Sequence, residues 1–234
     1  MKSVYFVTGT DTGVGKTTAA VALLHAAAAR GLSTAAIKPV AAGCEMTAVG
    51  LRNDDALRLQ RASTLTLSYE QINPVALAPP IAPHFAAAQI GIQLRAEALA
   101  AQCQTVLRLN AGLTLIEGAG GWLVPLNDDE TFADISIVLN IPIILVVDIK
   151  LGCLNHALLT AEAIRNDGLV LAGWVANRTG GRDVCHDAMV ATLQERLHSP
   201  LLGDLPFADD LEEDLLVRCI DLTPLVSAGD RLPV

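Results

Sequence analysis

The sequence predicts an α/β domain of three layers, in which a mostly parallel central sheet is flanked by helices. Continuous apolar runs such as Val4 to Val7 and Ile143 to Asp148 read as strands covered on both faces, because a half-exposed strand would alternate. These runs alternate along the chain with Ala- and Leu-rich segments of helical length, and that order implies parallel pairing. Composition agrees: 52% of the residues are hydrophobic but only 3% aromatic. Ala, Val, Leu and Ile must therefore fill the core, which suits buried strands under Ala-rich helices.

The first strand, Val4 to Val7, stops at a Gly/Thr/Asp loop, and Thr17 to Arg30 follows as a helix closed by Gly31. A second strand, Thr34 to Pro39, comes directly after. Residues Ala41 to Gly91 are irregular, with a short helix near Asp54 to Arg61. Pro74, Pro79, Pro80 and Pro83 argue against regular helix in Asn73 to His84. A long irregular excursion in a compact domain is more often functional than idle, so this one is a candidate for substrate contacts. A helix from Leu94 to Leu109 leads into the strand Leu113 to Glu117. Beyond Ile143 to Asp148 come a helix Leu154 to Arg165, a strand Val170 to Asn177, a helix Asp183 to Leu197, a short strand Leu201 to Leu205 and an acidic stretch Asp209 to Asp214. With no repeat or low-complexity linker, the 234 residues read as one domain, 1–234.

A net charge of -9 disfavours nucleic acid and anionic membrane as partners, since a phosphate-rich surface is repelled. The five cysteines contain no Cys-x-x-Cys pair and read as reduced packing residues. The apolar start, interrupted by Thr8-Gly9, is too short for a signal segment or a membrane span, which leads to an expectation of a cytoplasmic protein.

Gly9-Thr10-Asp11-Thr12-Gly13-Val14-Gly15-Lys16-Thr17 lies between the first strand and the first helix. There, backbone N–H groups and the helix N-terminus can wrap a polyphosphate, Lys16 can reach the β and γ oxygens, and Thr17 can give its hydroxyl to Mg²⁺. The pattern is that of a P-loop NTPase, with five residues between Gly9 and Gly15 where the usual loop has four. Glu117, followed by Gly118-Ala119-Gly120-Gly121, falls at the carboxyl edge of the sheet, where α/β ligand sites form and where a carboxylate can hold Mg²⁺. One of Asp54 and Asp55 can cap the short helix; if Asp55 instead faces the nucleotide, Thr17, Asp55 and Glu117 supply three oxygen ligands. Lys38, at the same edge, can point an ammonium at a transferred phosphoryl group. The helix opening at Gly152-Cys153-Leu154-Asn155 offers amides to an anion, or is simply capped by Asn155.

Together with Lys38-Pro39-Val40, Asn53-x-Asp55-Ala56-Leu57, Glu117 to Trp122, Lys150-Leu151-Gly152-Cys153-x-Asn155-His156 and Val175-Ala176-Asn177, the phosphate loop resembles dethiobiotin synthetase from Tyr5 to about Phe207. The resemblance implies a homodimeric, ATP- and Mg²⁺-dependent ligase of biotin biosynthesis. It would close a cyclic urea from 7,8-diaminopelargonic acid and CO₂ through a carbamate and a carbamic-phosphoric anhydride, releasing ADP and phosphate. It further implies that Thr12, Gly13, Val14, Gly15, Lys16, Thr17 and Thr18 bind the triphosphate, with Gly118, Ala119 and Gly120 beside it. Thr17, Asp55 and Glu117 would hold Mg²⁺, and Lys16 and Lys38 would act on the reacting groups. Asn177, Pro206, Phe207, Ala208 and Glu213 would face the adenine. Ala42, Gly152, Cys153 and Asn155 would meet the substrate, Asn155 across the dimer interface. Three positions depart from relatives: Gly13 stands where some carry Glu, and Ala42 and Ala82 where some carry Ser.

Two other readings compete with this one. A partition or septum-placement ATPase would share the loop and sheet, but only Lys16 lies between Gly9 and Thr17, where that class carries a second lysine, and no basic amphipathic helix closes the chain. An enzyme of the cobyrinate-amidating kind needs a glutaminase domain for which this chain has no room.

Overall fold

The computed structural model describes residues 3–181, 183–207 and 213–225. Ser3–Gly9 forms β1, and Lys16–Ala29 forms α1. α1 is buried on almost every side, Ala19, Ala20, Ala22, Leu23, Leu24 and Ala27 being wholly covered. A helix apolar all round is a core helix, which is what the Ala-rich run encodes. Thr34–Ile37 (β2) and Val40–Ala41 (β3) follow, then a hairpin of Glu45–Thr47 (β4) and Gly50–Arg52 (β5). Asp54–Ala62 (α2), Tyr69–Ile72 (α3), Val75–Ala76 (β6) and Pro83–Gln89 (α4) complete the excursion before Ala96–Leu107 (α5). Leu113–Gly121 (β7), Phe132–Leu139 (α6), Ile143–Asp148 (β8), Cys153–Asn166 (α7), Leu171–Asn177 (β9), His186–Arg196 (α8), Leu201–Asp204 (β10) and Glu213–Arg218 (α9) finish the order.

Six strands make one sheet in the order β10-β9-β8-β1-β7-β2, and every pairing in it is parallel. The expected three-layer α/β architecture is what the chain adopts. From β1 the chain runs out to β2, returns through β7, and then crosses to β8 on the other side. That reversal opens a crevice at the carboxyl ends of β1 and its neighbours, where α/β proteins bind ligands. Phe6, Leu115, Ile116, Phe132 and Trp174 are fully buried in the core around these strands. Among the described residues no helix is long and apolar enough to cross a membrane.

The structure corrects the sequence expectations in several places. β7 does not stop at Glu117 but runs to Gly121, where it pairs with Gly9, so Glu117 lies inside the strand. Pro83 opens a helix instead of excluding one: at the first helical position its missing N–H costs nothing. α2 is capped by neither aspartate, since Asn53 Oδ1 accepts the Ala56 N–H and leaves Asp54 and Asp55 in the first turn. α7 is entered through Gly152 in a left-handed conformation (φ 95°), so Asn155 does not cap it. α8 starts at His186, three residues later than expected. α3, α6, the β4–β5 hairpin and the β3–β6 pairing were not anticipated. Ala208 and Asp209 to Glu212 fall outside the described residues.

Candidate active site

Between β1 and α1 the loop is fastened from below and from both sides. The Thr10 N–H donates to Val146 O of β8 (3.1 Å), and the Thr12 N–H donates to Asp11 Oδ1 (2.7 Å). Asn177, buried at the end of β9, donates from Nδ2 to Val14 O (2.8 Å). Directly above it, Gly15 has φ +88°, and a Cβ there would stand 2.0 Å from Asn177 Nδ2, so both conformation and space demand glycine. At Gly13 nothing lies within 4 Å of the Cβ position, so glycine is favoured there by its φ of +74° and not by lack of space.

Lys16 is buried, and its ammonium donates to Asp11 O (3.0 Å) and Gly120 O (2.7 Å), tying the loop to the end of β7. Burial, together with the nearby Lys38 ammonium, pulls its pKa down to about 8 against the opposing pull of Glu117, Asp55 and Asp11. Lys38 follows β2 and is held by its backbone: its N–H donates to Ile72 O (2.7 Å), and Asn73 Nδ2 donates to its carbonyl (2.8 Å). Its Nζ reaches Glu117 Oε1 at 2.5 Å and Asp55 Oδ2 at 3.1 Å. Burial works against the ammonium, but the two carboxylates hold its pKa above the ordinary value. Burial likewise works against the Asp55 carboxylate, and Lys38 still keeps its pKa below the ordinary value. Thr17 Oγ1 donates to the same Glu117 Oε1 (2.8 Å).

Glu117 Oε2 is buried and has no hydrogen-bond partner among the described residues. A buried carboxylate oxygen without a donor is costly unless a cation or ligand supplies one. Thr17, Asp55 and Glu117 line the same cavity with hydroxyl and carboxylate oxygens, a donor set that fits a hard divalent cation retaining some of its waters.

These groups line a cavity of about 650 Å³ at the carboxyl edge of the sheet. Of the residues singled out from sequence, Thr12, Gly13, Gly15, Lys16, Thr17, Thr18, Lys38, Ala42, Asp55, Glu117, Ala119 and Gly120 meet there. Val14 is turned into the core, Gly118 is packed under the Phe6 ring, and Asn177 supports the loop from beneath. Pro80, Ile81, Ala82 and Pro83 give the cavity an apolar wall, so the proline-rich excursion does reach the site. Asn53 and Arg58 also line it and were missed. A signal existed for Arg58: three residues beyond Asp55 on a helix, it shares that residue's face.

A second group does not join this cavity. Gly152 and Asn155 are exposed at the start of α7, beside Leu151, which is 92% exposed. Cys153 points inward, its Sγ 3.7 Å from Met189 Sδ, and its N–H donates to Lys150 O (2.9 Å). Of the first-turn amides, those of Leu154 and Asn155 have no intrahelical acceptor and can receive an anion. Pro206 and Phe207 follow β10 at the same edge of the sheet; the Glu213 side chain lies outside what the structure describes.

A glycine-rich loop running from the central strand into a helix N-terminus, with a buried lysine and threonine, defines a nucleotide-binding protein of the P-loop class. Residues 3–214 match the family model of the AAA domain. An ATP-dependent dethiobiotin synthetase of Pseudomonas aeruginosa (strain UCBPP-PA14) is 54% identical over 94% of this chain and 97% of its own. Its counterpart in Cellvibrio japonicus is 53% identical over 97% of this chain and 99% of its own. The signal recognition particle receptor FtsY from Elizabethkingia anophelis, solved with GDP, aligns with a TM-score of 0.50 at 14% identity, over 94% of this chain and 63% of that one, a likeness of fold alone. The chain belongs to the dethiobiotin synthetase family.

Proposed function

We propose that this single-domain chain is an ATP-dependent ligase that closes the cyclic urea of dethiobiotin from 7,8-diaminopelargonic acid and CO₂, in biotin biosynthesis. The observation that carries the reading is the Lys38 ammonium held between Glu117 and Asp55 within reach of the phosphate loop. A buried cation pinned at that point meets negative charge as it builds on a transferred phosphoryl group or a tetrahedral intermediate, without having to reorganise.

One amine of the substrate takes up CO₂ as a carbamate, whose oxygen attacks the γ-phosphorus and displaces ADP. The second amine then attacks the carbonyl of the mixed anhydride, expelling phosphate and closing the ring. No protein nucleophile is required, so the chain's work is positioning and charge stabilisation. Lys16, already aimed across the loop, serves the β and γ oxygens. Lys38 serves the carbamate and the transferred group. Thr17, Asp55 and Glu117 would hold Mg²⁺, which when bound neutralises charge on the polyphosphate. The apolar wall of Pro80 to Pro83 shields the reacting atoms from water, and its alanine at position 82 leaves the methylene chain of the substrate an apolar neighbour. The exposed start of α7 would hold the substrate carboxylate in a homodimer, through Asn155 of one copy facing the cavity of the other. A cytoplasmic enzyme with small-molecule partners and no nucleic acid partner fits the net charge of -9.

The test is phosphate release from ATP and Mg²⁺ in bicarbonate, with and without the diamine, followed by mass spectrometry for the ring product. Diamine-dependent phosphate matched by dethiobiotin is expected; phosphate release indifferent to the diamine, with no ring product, would overturn the reading.

A further inference from the structure

Arg58 is the one guanidinium lining the cavity among the described residues, and the chemistry above gives it no task. It lies on α2 one turn beyond Asp55, about 5 Å further along the helix, and donates from one guanidinium nitrogen to Thr18 Oγ1 (3.3 Å). Among the described residues it makes no ion pair, although Asp55 is near enough to feel its charge. The charges of the lining explain why an anion is wanted there. Lys16, Lys38 and Arg58 stand against Asp55 and Glu117, three cations to two carboxylates. Lys38 is already matched by both carboxylates, and Lys16 is turned to carbonyls of the loop and β7. Lys16 and Arg58 thus both line the cavity without an ion-pair partner among the described residues, in a protein whose net charge is -9.

Its position along the phosphate loop says which anion. Lys16 and Thr17 mark the end of the cradle where the transferred phosphate meets Lys38 and Glu117. Thr18 is the next residue into α1, and α2 runs alongside so that Asp55 faces the Lys38 end and Arg58 the Thr18 end. A phosphate chain lying across Gly13 to Thr18 brings its non-transferred end to Thr18 and Arg58. The planar guanidinium then offers donors to phosphate oxygens while still holding the Thr18 hydroxyl.

We propose that Arg58 binds the non-transferred phosphates of the nucleotide from the Thr18 side and sets affinity for ATP and ADP alike, leaving the rate of chemistry to Lys38. The inference rests on a nucleotide occupying this cavity. An interaction made equally in ground state and transition state raises KM when removed and spares kcat. ADP keeps the phosphates in question, so it must feel the loss as strongly as ATP.

The experiment is calorimetric titration of wild-type protein, Arg58→Ala and Arg58→Lys with ADP and with the non-hydrolysable analogue AMP-PNP, each with Mg²⁺, alongside steady-state kinetics in ATP. Arg58→Ala is expected to weaken both ligands by the same factor, about tenfold, and to raise the KM for ATP equally while kcat changes less than twofold. Arg58→Lys, which keeps the charge but loses the fork, should recover part of the loss. Arg58→Gln serves as the second variant if alanine lowers the melting temperature of the apo protein. Unchanged ADP affinity in the folded variant overturns the proposal, as does weakening of AMP-PNP alone, which would place Arg58 on the transferred phosphate. A fall in kcat at unchanged KM overturns it too, making Arg58 a counter-ion of Asp55. Failure of the wild-type protein to bind ADP at all would remove the nucleotide reading of the cavity, and this inference with it.

Discussion

Two stretches at the same edge of the sheet are built on opposite plans. On the β1, β2 and β7 side, Lys16, Thr17, Lys38 and Glu117 are all under 8% exposed, and Thr17 and Lys38 converge on a single Glu117 carboxylate oxygen. On the β8 and β9 side the support is just as firm: Asp148 accepts from the Thr179 N–H (3.0 Å) and Thr179 Oγ1 (2.7 Å) and pairs with Lys150 (2.9 Å). Yet what it supports faces outward, with Leu151 and Asn155 exposed. Buried charge must be compensated, and in the phosphate half Lys38, Asp55 and Glu117 compensate one another while Glu117 Oε2 is left without a partner among the described residues. The α7 half presents donors and apolar surface outward, which is the surface the proposed function assigns to the substrate carboxylate.

The harshest test of the buried half is Lys38→Ala. The substitution should lower kcat by about 10²- to 10³-fold, the usual worth of one fixed electrostatic contact in a dry site, while ADP binding by calorimetry stays within about threefold of wild type. Lys16→Ala should do the reverse and abolish nucleotide binding. If both variants lose nucleotide affinity equally, the two lysines act as one unit and the division of labour fails.

Gly15→Ala probes the scaffold beneath. A methyl group at φ +88° and 2.0 Å from Asn177 Nδ2 forces the loop off Asn177 or the side chain off Val14. The expected cost is about 1–3 kcal/mol of stability, read by thermal unfolding, with nucleotide affinity falling in parallel. Combining it with Asn177→Ala should recover part of the strain, and a strictly additive double variant would refute the contact as its source.

How far the sequence disclosed this contrast depended on how local each feature was. The phosphate loop was legible because glycine spacing, strand and helix are contiguous. Lys38 was legible as a strand-end charge and Glu117 as a charge at the same edge, although β7 runs on past it; their direct contact was not, since the two residues are 79 positions apart and meet through the pairing of β2 with β7. Proline content misled at Pro83 because the rule against helix applies to interiors and not to first turns. Asn53 was overlooked as the cap because two aspartates beside it offered the same chemistry. Cys153, read from its isolated spacing as a packing residue, is turned inward on Met189, so its side chain does not face a substrate at the α7 surface.

The exposed half gives a smaller and cleaner effect. Asn155 is at the surface, so Asn155→Ala should change stability by less than about 0.5 kcal/mol, but raise the KM for the diamine about tenfold through loss of a carboxylate contact. ATP parameters should hold. Mixing Asn155→Ala protein with Lys38→Ala protein sharpens the point: if sites are shared between copies, mixed dimers rebuild one intact site and recover turnover at low diamine concentration, where neither parent is active. No recovery would place the carboxylate elsewhere.

The mildest expected effect concerns pH, and again divides the two halves. In the buried half, Lys38 is held above its ordinary pKa and Asp55 below, so neither changes charge near neutrality. Lys16 is lowered from 10.5 to about 8. A lowered lysine loses its proton as pH rises through that value, so the free enzyme gives up the cation that nucleotide binding needs. kcat/KM for ATP should then fall about fourfold between pH 7 and pH 8.5, with kcat nearly flat because bound polyphosphate restores the ammonium. Binding ADP at pH 8.5 should take up a proton, visible as a calorimetric heat that varies with the ionisation enthalpy of the buffer. The sign for apo stability is opposite: between about 8 and 10.5 the unfolded chain holds the proton that the fold has released, so this lysine adds stability as pH rises. The KM for the diamine, set at the α7 surface where no such group is buried, should not follow the same curve; if it does, the two halves are coupled through Lys16 and are not the separate devices their burial suggests.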